Sequence, residues 1–167
     1  MVLEIDDWKF DIDLTATMEY SAAEAADHCG CAYCRNFYAA VDGVYPELRP
    51  FLAQFGLDIE APDELMPFTS TMITNLYAVS GHILEAGKEP LKLNLLSVTP
   101  RSANSAQINT ACPEPYFVLE VGIMDIPWVL DEPMVESEIV SPANEPSFLR
   151  KMWSRLLGIK PNEKIRS

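Results

Sequence analysis

The sequence feature that most restricts the fold is a strict alternation between residues 8 and 20. Every even position is apolar and every odd position between them is polar. The apolar positions are Trp8, Phe10, Ile12, Leu14, Ala16, Met18 and Tyr20. A period of two residues predicts a long β-strand with one buried face and one face in water. Because a half-wet sheet is typical of antiparallel pairing, we expect an antiparallel sheet.

Three helical segments are predicted after this strand. Ser21 and Glu24 have the spacing of a capping box, which predicts that the first helix begins at Ser21. Apolar residues recur at helical spacing over residues 33–41 and again over 48–55, and a glycine follows each run. Pro50 lacks an amide hydrogen, so the regular part of the third helix is expected to begin near it.

The second half of the chain is predicted to supply most of the sheet. After a loop at 57–70, strand-like segments lie at 72–84, 90–98 and 116–125, and 85–88 has the composition of a hairpin turn between the first two. The order strand, helices, several strands, helix is typical of an α+β fold. We therefore predict a largely antiparallel sheet of four to six strands, with helices mainly on one face.

The last predicted element is an amphipathic helix at about residues 146–158, with Pro146 near its first turn and Gly158 just past its end. Its apolar face either docks on the rest of the chain, binds a partner or lies on an acidic membrane surface. The length of 167 residues suits one domain with a sizeable core, so residues 1–167 are expected to form a single domain.

The charge is strongly negative and unevenly distributed. The formal net charge is −13, yet residues 150–167 carry six basic side chains and one acidic one. The remaining body is therefore more acidic than the total. Such a surface repels phosphate backbones, so we expect no nucleic-acid binding. It is suited to solubility, or to an unknown protein partner that is basic.

The expected compartment is the cytoplasm. The first residues are acidic and lack the basic and apolar regions of a signal peptide, and no apolar run is long enough to span a membrane. Thiols stay reduced in the cytosol. The four cysteines are therefore expected to be thiols or metal ligands and not a disulfide framework.

The chemically richest stretch lies between residues 28 and 34, where one histidine and three cysteines occur: His28, Cys29, Cys31 and Cys34. The C-x-x-C spacing of the last two suits one metal ion, because a turn leading into a helix directs both sulfurs to a common point. Further ligands are available in His82 and Cys112. No cofactor is required by the sequence, and zinc is the candidate if a metal is bound. Structural zinc sites usually pair two C-x-x-C knuckles, and this chain has one.

Two other interpretations of the same cysteines remain open. In thiol oxidoreductases the C-x-x-C motif begins a helix whose free amides stabilise a thiolate, and Cys31 or Cys34 would be the reactive group. The preceding strand that a thioredoxin fold requires is missing directly before this motif. Free cysteines are also commonly buried as small apolar side chains, which would leave them without chemistry.

Two segments resemble a motif pair in a group of uncharacterised bacterial proteins. The first is Cys31-Ala32-Tyr33-Cys34-Arg35-Asn36-Phe37, followed by Tyr45-Pro46 and Phe55-Gly56-Leu57-Asp58; the second is Ile126-Pro127-Trp128-Val129-Leu130-Asp131-Glu132-Pro133. The resemblance brings no activity and no catalytic residues with it. It implies only that both segments belong to one domain.

The function that these patterns favour is that of a small, non-enzymatic binding or interaction domain with a cysteine-rich local site for a metal. The first alternative is a thiol-based redox or sensor protein that uses Cys31 or Cys34. The second is an acidic inhibitor or immunity-type protein that binds a basic partner, which the charge alone supports.

Overall fold

The computed structural model describes residues 1–26, 29–106 and 108–134, and the helix predicted at 146–158 lies outside them. The helices are α1 (Leu14–Ala26), α2 (Ala32–Val44) and α3 (Leu48–Ala53). The strands are β1 (Val2–Ile5), β2 (Trp8–Ile12), β3 (Glu64–Pro67), β4 (Met72–Glu85), β5 (Leu91–Leu93), β6 (Leu96–Ser102) and β7 (Tyr116–Asp125). None of the helices in this part of the chain is long and apolar enough to cross a membrane.

The strands form one sheet in the order β1-β2-β4-β7-β6-β5, with β3 also paired to β4. Each of these pairs is antiparallel, which confirms the predicted α+β class. Within the described residues the sheet has seven strands, more than the four to six predicted. The extra strands are short: β1, β3 inside the predicted loop, and one created where Asn94 turns the chain within 90–98, at a φ of 51°.

The main core lies between one face of the sheet and helices α2 and α3. Alternate residues of β4 and β7 face it, among them Tyr77, Val79, Phe117 and Leu119, as the period of a strand requires. The helices contribute a matching apolar face, which the turn after α3 extends: Phe37, Val41, Leu48, Leu52 and, in the turn, Phe55. The prediction of helices on one face is therefore correct for α2 and α3.

The predicted strand at 8–20 is wrong after Ile12, because β2 ends there and α1 begins at Leu14. Asp13 accounts for the change. Its side chain accepts a hydrogen bond from the Ala16 amide at 3.0 Å, and its carbonyl accepts one from the Thr17 amide at 2.9 Å. An aspartate that accepts from the first turn is a strong helix start. Thr17, which the alternation placed in water, is fully buried.

The capping box predicted at Ser21 is also wrong, since Ser21 lies in the middle of α1. Its hydroxyl accepts a hydrogen bond from the Asp58 amide at 2.8 Å, so it fastens the helix to the segment after α3. The hairpin predicted at 85–88 is not formed, because β5 pairs with β6 and not with β4. Hydrogen bonds from Lys88 to Asp7 and from Trp8 to Glu89 hold this connection against the β1–β2 turn instead.

Helix α1 lies along an open stretch of the β4 edge, between the parts of β4 that pair with β2 and with β3. Two side chains replace a neighbouring strand there. The Thr17 hydroxyl accepts from the Ser80 amide at 3.1 Å, and the Asp63 carboxylate accepts from the Ala78 amide at 2.7 Å. Buried amides need such partners. The arrangement fixes the start of α1 and Asp63 against β4.

Candidate functional site: a three-cysteine cluster

The candidate site begins at the amino end of α2. Cys31 is the N-cap residue of this helix, with an extended backbone and no side-chain capping bond. The first amides of a helix have no partners within it and carry partial positive charge, which favours thiolates nearby. The sequence thus places the C-x-x-C motif where the hypothesis requires it, at a helix start.

Three sulfurs meet at this point: Cys29, Cys31 and Cys34, which we call the cysteine cluster. Their Sγ atoms all lie within 4.8 Å of one another. Cys29 and Cys31 are exposed, whereas Cys34 is 6% exposed. The Cys31 amide donates a hydrogen bond to the Cys29 sulfur at 3.5 Å, which closes the loop around Gly30. The cluster therefore has two sulfurs at the surface and one at its base.

The three thiols have different affinities for protons. The pKa of Cys29 is lowered, first by the Cys31 amide and then by hydrogen bonds from the Cys31 and Cys34 thiols. The pKa of Cys34 is raised, first by burial and then by its hydrogen bonds and repulsion with the other two sulfurs. The first thiolate of the cluster therefore forms on Cys29, and Cys34 is its hydrogen-bond donor.

Tyr38 lies one helical turn after Cys34, on the same face of α2. Burial raises its pKa first, followed by the charge of Cys34 and by the hydrogen bond that its hydroxyl donates to the Cys34 sulfur. Tyr38 thus stays a neutral phenol that supports the base of the cluster. Tyr38 was not predicted as a site residue, although its position four residues after Cys34 was an available signal in the sequence.

The cluster borders a cavity of about 360 Å³. Among the described residues, the acidic side chains that line it are Glu24 from α1 and Asp63 from the segment before β3. The remaining walls come from aromatic and apolar residues: Tyr33, Tyr38, Pro62, Leu65 and Pro67. Neither acid belongs to a motif that would have marked it in the sequence, and Asp63 reaches this cavity only through the fold.

A second group of contacts holds the start of α2 from the other side. Asn36 is buried, donates to the Pro127 carbonyl at 3.0 Å and accepts from the Val129 amide at 2.7 Å. Arg35 bonds to the Gly30 carbonyl and forms an ion pair with Glu132. The rings of Tyr33 and Trp128 pack in an edge-on arrangement, with their centroids 6.1 Å apart. The two segments that carry the resemblance are therefore in direct contact.

The other predicted site residues are not part of this cluster. His82 is exposed on β4, opposite Asp11 in the register with β2. Cys112 is buried in a separate small core with Tyr20 and Ala78, and burial followed by the charge of Asp63 raises its pKa to about 12. His28 lies outside the described residues. The predicted ligand set is thus reduced, among the residues that the structure describes, to three cysteines.

This geometry is suited to two kinds of chemistry. Three converging sulfurs can hold one metal ion. Neighbouring thiols, one of them with a lowered pKa, can also be oxidised to a disulfide. Comparison of the chain with protein-family models, with curated proteins and with solved structures finds no match, so function is inferred from the site itself.

Proposed function

We propose that this protein is a small metal-binding domain that holds one zinc ion through Cys29, Cys31 and Cys34. The observation that carries the proposal is the convergence of the three sulfurs within 4.8 Å. A zinc ion with bonds of about 2.3 Å to sulfur holds its ligands about 3.8 Å apart in a tetrahedron. The sulfurs are therefore close enough to bind after small side-chain rotations.

The surroundings of the cluster supply what a negatively charged metal–thiolate centre needs. The Cys31 amide already donates to a sulfur, and Tyr38 donates to another. Arg35 adds a positive charge at the carbonyl of Gly30, within the same loop. Hydrogen bonds to ligating sulfurs orient them and lower their basicity. These donors support a site that binds metal in a fixed geometry.

We assign the site to a binding or interaction domain and not to an enzyme. Among the described residues, the groups that line the cavity beside the sulfurs are carboxylates, tyrosines and apolar side chains. The metal would join the 29–31 loop to α2, whose start also contacts residues 126–133. Metal binding would thus stabilise the surface that these segments form together.

The decisive experiment measures metal and thiols on the same sample. Protein purified without chelators or added metal is analysed for elemental content and titrated with a thiol reagent, before and after chelation. We expect one zinc per chain and three thiols that become reactive only after chelation. The variant with Cys29, Cys31 and Cys34 all changed to serine is the control and should contain no metal. Metal-free wild-type protein that also fails to take up added zinc would refute the proposal.

A thiol-based redox or sensor function is the second candidate, and the lowered pKa of the exposed Cys29 favours it. In this scheme Cys29, and not Cys31 or Cys34 as the sequence predicted, attacks first. Hydrogen peroxide would take two electrons and two protons from a pair of thiols, forming one disulfide and two molecules of water. Mass spectrometry after peroxide treatment separates the candidates: a disulfide formed in metal-free protein and blocked by zinc is expected if the metal is the native ligand.

A further inference from the structure

We propose that the cysteine cluster takes trivalent arsenic, supplied as arsenous acid, in preference to zinc and holds it through all three thiolates. This inference rests on the proposed metal site and names a second ligand for it. Among the described histidines, cysteines and acids, the group whose ligand atoms lie within 4.8 Å of one another consists of Cys29, Cys31 and Cys34. Trivalent arsenic forms three bonds to sulfur and keeps a lone pair in its fourth position. A group of three thiolates therefore satisfies it without a further ligand.

The shape of the cluster suits an atom with three bonds on one side. The Cys34 sulfur lies at the base, and Cys29 and Cys31 are exposed beside it. The exposed pair can close on an incoming atom, because the Cys31 side chain makes no capping bond and the space beside Gly30 is open in the described part of the chain. The cavity of about 360 Å³ that the sulfurs border leaves room for the lone pair and for the entry of arsenous acid.

The binding reaction is a condensation in which nothing is oxidised or reduced. Each of the three thiols replaces one hydroxyl group of arsenous acid, so three S–H and three As–O bonds break, three As–S bonds form, and three water molecules leave. In the zinc-loaded protein the sulfurs are already thiolates, so three protons enter from the solvent and the zinc ion is released. Soft thiolate ligands favour soft elements, which makes the exchange chemically reasonable.

The charge around the cavity favours arsenic over zinc. Three thiolates around a divalent zinc ion carry one net negative charge, whereas three thiolates around trivalent arsenic carry none. Glu24 and Asp63 line the same cavity, and their charges oppose the anionic zinc complex without affecting the neutral arsenic complex. Arsenous acid is uncharged near neutral pH, so the carboxylates do not hinder its entry, as they hinder that of arsenate. A monovalent copper ion would leave two negative charges and is opposed more strongly than zinc.

The test adds sodium arsenite to the zinc-loaded full chain. Zinc released to a chromophoric chelator, arsenic retained by intact mass and thiols still free are measured on the same sample. We expect one zinc released and one arsenic bound per chain, with three of the four thiols consumed. Arsenate at the same concentration should release no zinc.

Serine variants of the zinc-free protein show which sulfurs hold the arsenic. Cys34→Ser should lower the arsenite affinity about a hundredfold, because one of three thiolates is lost. Cys31→Ser, at an exposed position, is tested in parallel and should lose a similar factor. Cys112→Ser is the matched control and should bind arsenite as wild type does.

Phenylarsine oxide distinguishes a missing third thiolate from a damaged fold. Its arsenic already carries one carbon substituent, so it condenses with only two thiols and releases one water molecule. Cys34→Ser and Cys31→Ser each keep two sulfurs of the cluster. Both variants should therefore bind phenylarsine oxide nearly as tightly as wild type while their affinity for arsenite falls.

Two results would overturn the inference. If arsenite consumes only two thiols, or if the serine variants of the cluster bind it as tightly as wild type, the three sulfurs do not meet at one arsenic atom. If bound zinc stays in place in excess arsenite, arsenic is not the preferred ligand. Neither result affects the zinc proposal, which is tested separately by the zinc content of each sample before arsenite is added.

Discussion

Cys34 and Cys112 are equally buried, each 6% exposed, but they have different neighbours. Cys34 lies beside two other sulfurs and receives a hydrogen bond from Tyr38. Cys112 packs with Tyr20 and Ala78, and its own amide bonds to the Thr110 hydroxyl. Burial raises the pKa of both thiols. Burial alone therefore does not decide what a cysteine does, whereas the groups at its sulfur do.

Asp63 separates the two environments. It lines the cavity of the cysteine cluster, and its charge helps to raise the pKa of Cys112. The Tyr20 hydroxyl donates to it from the Cys112 side. A substitution on one side of Asp63 can therefore be compared with a matched substitution on the other side.

The largest expected difference is in zinc affinity, between Cys34→Ser and Cys112→Ser, which change equally buried thiols. Structural zinc sites bind with about 10–16 kcal/mol shared among four ligands, so loss of one thiolate should weaken binding by about 3 kcal/mol, or roughly a hundredfold. Cys112→Ser should keep wild-type affinity and lose only about 1–2 kcal/mol of stability, because a hydroxyl enters an apolar pocket. Chelator competition and urea unfolding measure the two effects. Equal zinc affinities for the two variants would contradict this prediction.

The second largest difference is expected between the alkylation rates of Cys29 and Cys112 in the zinc-free protein. The pKa of Cys29 lies below the ordinary value of 9.0, and that of Cys112 is about 12, so the thiolate of Cys29 is far more populated near neutral pH. Even after allowing for the weaker nucleophilicity of the more acidic thiol, Cys29 should react at least about thirtyfold faster, before the burial of Cys112 adds protection. As pH rises, the rate at Cys29 levels off first. Peptide mapping after timed iodoacetamide treatment measures both rates, and a Cys112 that reacts first would contradict the assignment.

The cysteine cluster was largely predictable because its residues are close in the sequence. The spacing from Cys29 to Cys34 and the apolar face of α2 both lie within one local segment, and local geometry alone brings the sulfurs together. Cys112 and Asp63 could not be placed in this way, because their neighbours come from distant parts of the chain. Cys34 and Cys112 look alike in the sequence, so the sequence does not show that their environments differ.

The prediction of the fold from the sequence was limited as well. The alternation over residues 8–20 predicts β2 correctly and then continues into α1, because apolar residues at positions 14 and 18 satisfy either period. The hydrogen bonds of Asp13 decide for the helix. The signal for that start, an aspartate three residues before Ala16, was present in the sequence but weaker than the apolar pattern. The long strands β4 and β7 carried strong patterns and were predicted within a residue or two.

Tyr38→Phe should produce the third effect, a fall in zinc affinity of about tenfold. The ring and its packing remain, and only the hydrogen bond to the Cys34 sulfur is removed. A tenfold loss of affinity is the usual effect of removing a group that orients a metal ligand. Tyr116→Phe is the matched control, because Tyr116 packs beside Cys112. Its affinity for zinc should equal that of wild type. If the two variants bind zinc alike, the hydroxyl of Tyr38 does not support the cluster.

The smallest effect tests whether the cluster depends on the segment that packs against α2. Asn36→Ala removes the bonds to Pro127 and Val129, and Tyr20→Phe removes the bond to Asp63 on the Cys112 side. Each change should lower the free energy of unfolding by about 1–2 kcal/mol, since each leaves a polar group without its partner. Only Asn36→Ala should also weaken zinc binding, by about threefold, the equivalent of roughly 0.7 kcal/mol. Parallel urea unfolding and chelator competition measure both quantities. If both variants lose zinc affinity in proportion to their loss of stability, zinc binding depends on the stability of the whole fold and not on the local support of α2.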